Sequence, residues 1–252
     1  MLTRILLFII FSFISLQLHA DDFHPTSPKK IKWKFEGVVG SFDGEAVQRG
    51  YKVYKEVCAA CHSMNKIAFR NLKEIGFSEE LVKSIASSYQ ITDGPNDIGE
   101  MFERSGTLSD YFVPPFANKQ AAMASNDGAF PPDLSLIIKA RHDGANYVYS
   151  LLTGYENSQA DENGLYSNPY FPIGKLSMAP PLSDGLVEYE EGRQSTVENM
   201  AYDVVNFLQW AAEPEMEVRH RLGLKVTGFL VVLTVFFLLA NRRVWFRLSG
   251  SV

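Results

Sequence analysis

Cysteine is almost missing from this chain: Cys58 and Cys61 are the only two in 252 residues. A structural zinc site needs four Cys or His ligands, and no further cysteine exists to complete one. Alternating β patterns are scarce, which argues against a sheet protein, and against the βαβ setting of a thioredoxin-like cysteine pair. There is no internal repeat and no low-complexity tract. Basic charge is short where it would matter for nucleic acid. Residues 21–218 hold 17 Lys and Arg against all 29 of the chain's Asp and Glu, a formal charge of −12 where the whole chain carries −5. Such a field repels nucleic acid and attracts cationic partners, although acidity also simply keeps a domain soluble.

What is present is concentrated in Val57–Met64, "VCAACHSM". Cys58, Cys61 and His62 have the spacing of a c-type haem attachment site. On a helix, positions i, i+3 and i+4 share one side, so two thiols can add to the haem vinyl groups while the imidazole takes the iron. A plain disulfide across a two-residue gap would be strained, and it would leave the adjacent histidine as coincidence.

Haem iron needs a sixth ligand. The candidates are Met101, Met123, Met178, Met200, Met216, His24, His142 and His220. Met64 lies too near His62 to reach the opposite face, Met200 sits in the apolar stripe of a helix, and Met216 and His220 fall at a membrane junction. Met178 leads, because Gly174 and Pro180-Pro181 flank it with backbone of preset geometry, as a thioether ligand needs.

The two ends predict where this chemistry occurs. Residues 1–20 pair Arg4 with an apolar run and a small-residue cleavage site, the pattern of a secretory signal peptide, with an uncleaved anchor as the competing reading. Leu222–Ala240 is long and apolar enough to span a bilayer, and Arg242, Arg243 and Arg247 follow it. The positive-inside rule leaves that tail in the cytoplasm and the body outside. The expected organisation is a signal peptide (1–20), an exported domain (21–218), an anchor (219–241) in the lipid bilayer and a basic tail (242–252).

Periodicity predicts helices over about Glu45–Cys61, Ser78–Ser88, Leu134–Ala140, Ala145–Leu152 and Ser195–Ala211, with Asp43 and Ser78 as caps and Glu213-Pro214-Glu215 as a break before the anchor. Between them lie Pro-rich loops at 93–97, 113–116, 130–133, 167–174 and 178–182. The fold class expected is all-α with long Pro-fixed loops.

Taken together, "RGYKVYKEVCAACHSM", "DGPNDIGEMFERSGTLSDYF", "GAFPPDLSLIIKARHDGANYVYSLLTGY", "NPYFPIGKLSMAPPL" and the "EPE" before the anchor resemble cytochrome c1, the membrane-anchored c-type haem subunit of the cytochrome bc1 complex. The resemblance covers most of the chain. It implies a cytochrome c-like domain with one covalent haem c, thioether bonds at Cys58 and Cys61, and iron ligation by His62 and Met178. It further implies Arg141 at a haem propionate, Tyr147 near the haem edge, and Pro131 and Pro132 along the pocket. The implied partners are cytochrome b, a Rieske iron–sulfur subunit and a soluble cytochrome c. The implied place is a bacterial inner membrane facing the periplasm, or the mitochondrial inner membrane facing the intermembrane space. Quinol chemistry belongs to the partner subunits. A haem peroxidase would instead need an open iron beside acid or base groups, and a terminal-oxidase c-type subunit would lack the 93–112 and 128–155 segments. Some bacterial relatives bridge a loop with an extra cysteine pair. This chain has none, so packing or hydrogen bonds must hold the loop 155–172.

Overall fold

The structure, a computed structural model, describes residues 25–189 and 192–249. The expected signal peptide, His24, Glu190, Glu191 and the last three residues of the tail lie outside the described residues.

Two helices make the centre. Helix α1, Gly44–Glu56, opens where the Asp43 carboxylate accepts from the Ala46 amide. It presents Val47, Tyr51 and Tyr54 at helical spacing to the buried core. The chain then tightens into a 3₁₀ turn, Cys58–Ala60, and a second 3₁₀ segment, Phe69–Ile75. Helix α2, Glu79–Ser87, is capped by the Ser78 hydroxyl, and α3, Lys119–Ala124, by the Asn118 side chain. Helix α4 is Gly144–Leu152 and α5 is Val197–Ala212, with Thr196 capping the latter.

The crossing of α1 and α5 is close because residue 50 is glycine. A Cβ there would stand 2.0 Å from the Asp203 carbonyl oxygen and 2.8 Å from the Phe207 Cβ. Around that point Phe207 meets Tyr51 and Tyr54 with ring centroids 5.6 and 5.5 Å apart. Beside it the fully buried Asp203 carboxylate accepts from Arg49 Nε and Nη2 at 3.0 and 3.2 Å. Both oxygens are engaged by the fork, the arrangement that makes a buried charge tolerable.

Helix α6, Met216–Ser249, follows after a three-residue break, Glu213-Pro214-Glu215. It is long and apolar enough to cross a membrane, and its most apolar stretch is not buried inside the chain. Its first turns are fastened to the body: Glu217 accepts from the Phe42 amide at 2.8 Å, and the His220 ring meets the Gly40 carbonyl at 3.2 Å. Glu213 pairs with Lys139 at 2.9 Å and Arg219 at 3.0 Å. Burial alone would raise the Glu213 carboxyl, but these two cations offset that and hold it below the usual carboxylate range.

Three expectations need correction. The protein is mostly helical but not all-α. Strands β1, Gln90–Asp93, and β2, Phe102–Ser105, form an antiparallel hairpin, and β3, Tyr166–Ser167, pairs with β4, Lys175–Leu176. Strands of two to four residues are too short for alternation to signal them. Leu134–Ala140 is a run of turns rather than a helix, anchored instead to the 63–66 strand of chain opposite it. The first helix ends at Glu56, so Cys58 opens the 3₁₀ turn beyond it and Cys61 caps that turn.

Candidate functional site

The VCAACH motif forms a compact turn in which the Cys58 carbonyl accepts from the amides of Cys61, at 3.1 Å, and His62, at 2.9 Å. Both cysteines are free thiols, Cys61 exposed and Cys58 partly buried against the core. Burial, reinforced by the neighbouring Cys61 sulfur, pushes the Cys58 thiol up to about 12.

His62 is half-buried, and its Nδ1 lies 2.8 Å from the Pro132 carbonyl oxygen. A carbonyl only accepts, so Nδ1 carries the hydrogen and Nε2 keeps its lone pair for a metal. Burial also holds the imidazole below its ordinary value, against the opposing pull of the Pro132 carbonyl and Asp133. Two free thiols in one turn beside an oriented, neutral imidazole fit covalent haem. Among the described residues no group of His, Cys, Asp and Glu is arranged to hold a metal ion directly.

Asp133 sets the distance between the motif and Pro132. Its carboxylate accepts from the Ser63 hydroxyl and the Asn65 amide, each at 2.8 Å, and from the Ser135 amide at 2.9 Å. Its burial works against ionisation, yet these donors prevail and hold the carboxyl below its ordinary value. A lowered carboxylate contributes stability that is complete above its unfolded pKa, about 3.9, and lost as pH falls through the lower folded value. Asp133→Ala is therefore expected to flatten this part of the acid-unfolding profile below about pH 4 and to lower stability at pH 7, measured by thermal melts across pH. Unchanged melts would show that the carboxylate stabilises nothing.

Met178 is half-buried in the loop after β4, and its carbonyl accepts from the Tyr155 hydroxyl at 2.9 Å. Tyr147, on α4, is half-buried beside Arg141. Burial raises the Tyr147 phenol while the guanidinium lowers it in part. Arg141 itself is exposed, donates to the Ala140 carbonyl at 3.1 Å, and pairs with no carboxylate among the described residues. An exposed guanidinium with no carboxylate partner among the described residues, beside a tyrosine, suits an anionic group of a ligand.

Arg141 lies beside Tyr147, while the predicted haem attachments and ligands occupy two places, the turn of Cys58, Cys61 and His62 and the loop of Met178. One segment, Pro132 to Tyr155, touches both, with the Pro132 carbonyl on His62 at one end and the Tyr155 hydroxyl on the Met178 carbonyl at the other. Of the other ligand candidates, Met200 and Met216 are core residues, as is Met64. Met101 is exposed, Met123 is half-buried, and the His142 side chain is 99% exposed. The Pro132 carbonyl, Asp133 and Tyr155 were not singled out from sequence. A Ser-x-Asn after the motif and Pro-Pro-Asp-Leu-Ser seventy residues on carried the only trace of the Asp133 bridge.

Residues 33–248 match the model of the Cytochrome C1 family. The chain is 46% identical over 246 residues to "Cytochrome c1-1, heme protein, mitochondrial" of Solanum tuberosum, covering 96% of this chain and 75% of the relative. It is 46% identical over 235 residues to "Cytochrome c1" of Rhodospirillum rubrum, covering 86% of each. Over 221 residues it is 45% identical to "Cytochrome b-c1 complex catalytic subunit, mitochondrial" of Candida albicans, covering 86% of this chain and 76% of the relative. With the matched region running from Trp33 through the haem-binding signature into the apolar helix α6, the chain belongs to the Cytochrome C1 family.

Proposed function

We propose that this chain is the membrane-anchored haem subunit of a cytochrome bc1-type complex, taking one electron at a time from a Rieske iron–sulfur partner and passing it to a soluble cytochrome c. The observation that carries the reading is the Pro132–Tyr155 segment, which is bonded at its two ends to the two residues expected to ligate the iron. Cys58 and Cys61 would hold the haem through thioethers, and His62, through Nε2, and Met178 would ligate its iron. Arg141 would pair with a propionate and Tyr147 would lie near the haem. Bound haem c supplies a one-electron redox centre whose potential a His/Met pair keeps high. The chain's own part is to hold both axial groups fixed, so that no site opens to substrate, and to present an acidic surface outside.

In this reading residues 1–20 direct export, 21–218 form the haem domain, 219–241 cross the bilayer once and 242–252 stay on the cytoplasmic side. Cytochrome b and the Rieske subunit share the membrane with it. Haem staining of the denatured chain, with a redox difference spectrum of membranes, tests it: a covalent haem whose reduced spectrum ignores carbon monoxide is expected. A shift with carbon monoxide would favour a substrate-binding haem instead.

The excess of acidic groups, among them the exposed Glu188 with its neighbours Glu190 and Glu191 outside the described residues, supports steering of a basic cytochrome c. Electron transfer to such a partner is expected to slow steeply as salt rises through physiological strength, where the Debye length is about 8 Å. A stopped-flow rate that stays flat from low to high salt would rule this out.

A further inference from the structure

Met178 lies in a segment that can do little to hold itself. Pro180 and Pro181 have no amide hydrogen to donate. Among the described residues, the one hydrogen bond made anywhere in Ser177–Pro181 is that from the Tyr155 hydroxyl to the Met178 carbonyl, at 2.9 Å. That bond fixes the peptide unit from which the Met178 side chain departs.

Tyr155 is itself firmly rooted. It follows α4 directly, and Gly154 lets the Tyr170 ring pack onto the turn, since a Cβ at 154 would stand 2.3 Å from that ring and 2.5 Å from the Ser150 carbonyl. The far side of the loop is pinned by Asn168, fully buried, whose Nδ2 donates to the Leu151 carbonyl at 2.8 Å while its own amide donates to Gly174 at 2.8 Å. Lys175 pairs with Asp161 across the same loop at 2.7 Å. The loop that lacks a cysteine bridge is therefore tied to the end of α4, and Tyr155 is the tie nearest Met178. Burial raises the phenol well above its ordinary value, with Tyr147 and Tyr166 adding to the effect, so the hydroxyl remains a donor throughout the physiological range.

The geometry points to Tyr155 as a positioning residue for Met178: its hydrogen bond to the Met178 carbonyl holds the loop in the conformation that keeps the thioether on the haem iron. This rests on the axial role proposed for Met178. Without the bond, the loop samples conformations in which the sulfur has left, and the iron opens for part of the time.

Tyr155→Phe removes one oxygen and leaves the ring packing in place. In the full-length holoprotein, the variant is expected to stain for covalent haem and to have a weakened sulfur-to-iron charge-transfer band when oxidised. Carbon monoxide captures only the open form, so its binding to the reduced protein is expected to run about tenfold faster than in the unaltered chain, equivalent to about 1.4 kcal/mol in the open–closed equilibrium. A purely structural tyrosine would lower the thermal midpoint and leave carbon monoxide capture and the band unchanged, and that result would overturn the proposal. Met178→Leu, run alongside, separates the two ideas. If it opens the iron while Tyr155→Phe stays as closed as the unaltered chain, only the role of Tyr155 falls. If Met178→Leu itself remains closed, the axial assignment falls and takes the role of Tyr155 with it.

Discussion

Replacing Met178 with leucine is expected to leave the haem covalently attached, lower its midpoint potential sharply and let the reduced protein bind carbon monoxide. Attachment depends on Cys58 and Cys61 in their own turn, which among the described residues shares no hydrogen bond with the Met178 loop. Leucine fills much of the same volume but offers no donor. A thioether favours reduced iron, and axial ligands as a class move haem potentials across about 0.8 V. For a one-electron couple each fall of about 59 mV is tenfold in the equilibrium, so a fall on the order of a few hundred millivolts would turn the proposed transfer from an iron–sulfur partner uphill. Redox titration of the α-band, with carbon monoxide added to the reduced form, reads both effects. A potential and a closed iron that survive the change would move the search to Met123 and His142.

The second large effect is expected far from the haem. Gly50→Ala adds a methyl group 2.0 Å from the Asp203 carbonyl oxygen, a backbone atom that cannot rotate away. Either α1 and α5 separate, loosening the Phe207 contacts with Tyr51 and Tyr54, or the Arg49–Asp203 fork is pulled out of register. Alanine favours a helix over glycine by about 1 kcal/mol, but overpacking of a well-filled crossing costs about 3 kcal/mol or more when backbone must move. We expect a net loss of at least about 2 kcal/mol, or roughly 4–8 °C in the thermal midpoint of a domain this size. A midpoint that rose instead would mean the crossing has room the structure does not show.

The sequence around residue 50 does not show why glycine stands inside α1, since the reason lies on another helix more than 150 residues away. The same division runs through the whole molecule. Elements whose signals are local were legible: the Asp43 and Ser78 caps, the stripe of α5 and the Glu213-Pro214-Glu215 break all stand where the pattern put them. The β1–β2 hairpin escaped because its two four-residue strands, Gln90–Asp93 and Phe102–Ser105, are too short and too polar to carry an alternating apolar pattern, and what steadies it is Arg104, bonded to Asp93 and Asp110. Residues 134–140 have helical spacing of apolar side chains but are bonded across to Ser63 and Lys66 through Leu134 and Ser135, so tertiary pairing overrode local preference. At the site the chemistry-bearing side chains were legible and their supports were not. A backbone carbonyl such as that of Pro132 has no letter of its own, and Tyr155 is indistinguishable from any other tyrosine until the fold brings Met178 to it.

The joint between α5 and α6 has a mechanical consequence. A domain on a flexible tether explores a cloud of heights and tilts whose breadth grows with the square root of linker length. Here three residues connect the two helices, and Glu213 ties to Lys139 and Arg219, Glu217 to Phe42, and His220 to Gly40. Lys139 belongs to the segment that also carries the Pro132 carbonyl, so the bracket reaches from the anchor to the backing of His62. With α6 seated in a bilayer, the redox centre becomes a fixed fixture on a short mast. If the haem relays electrons as proposed, any travel needed to bridge the gaps to a donor and an acceptor falls to them, because the haem domain is held at one height by its own anchor.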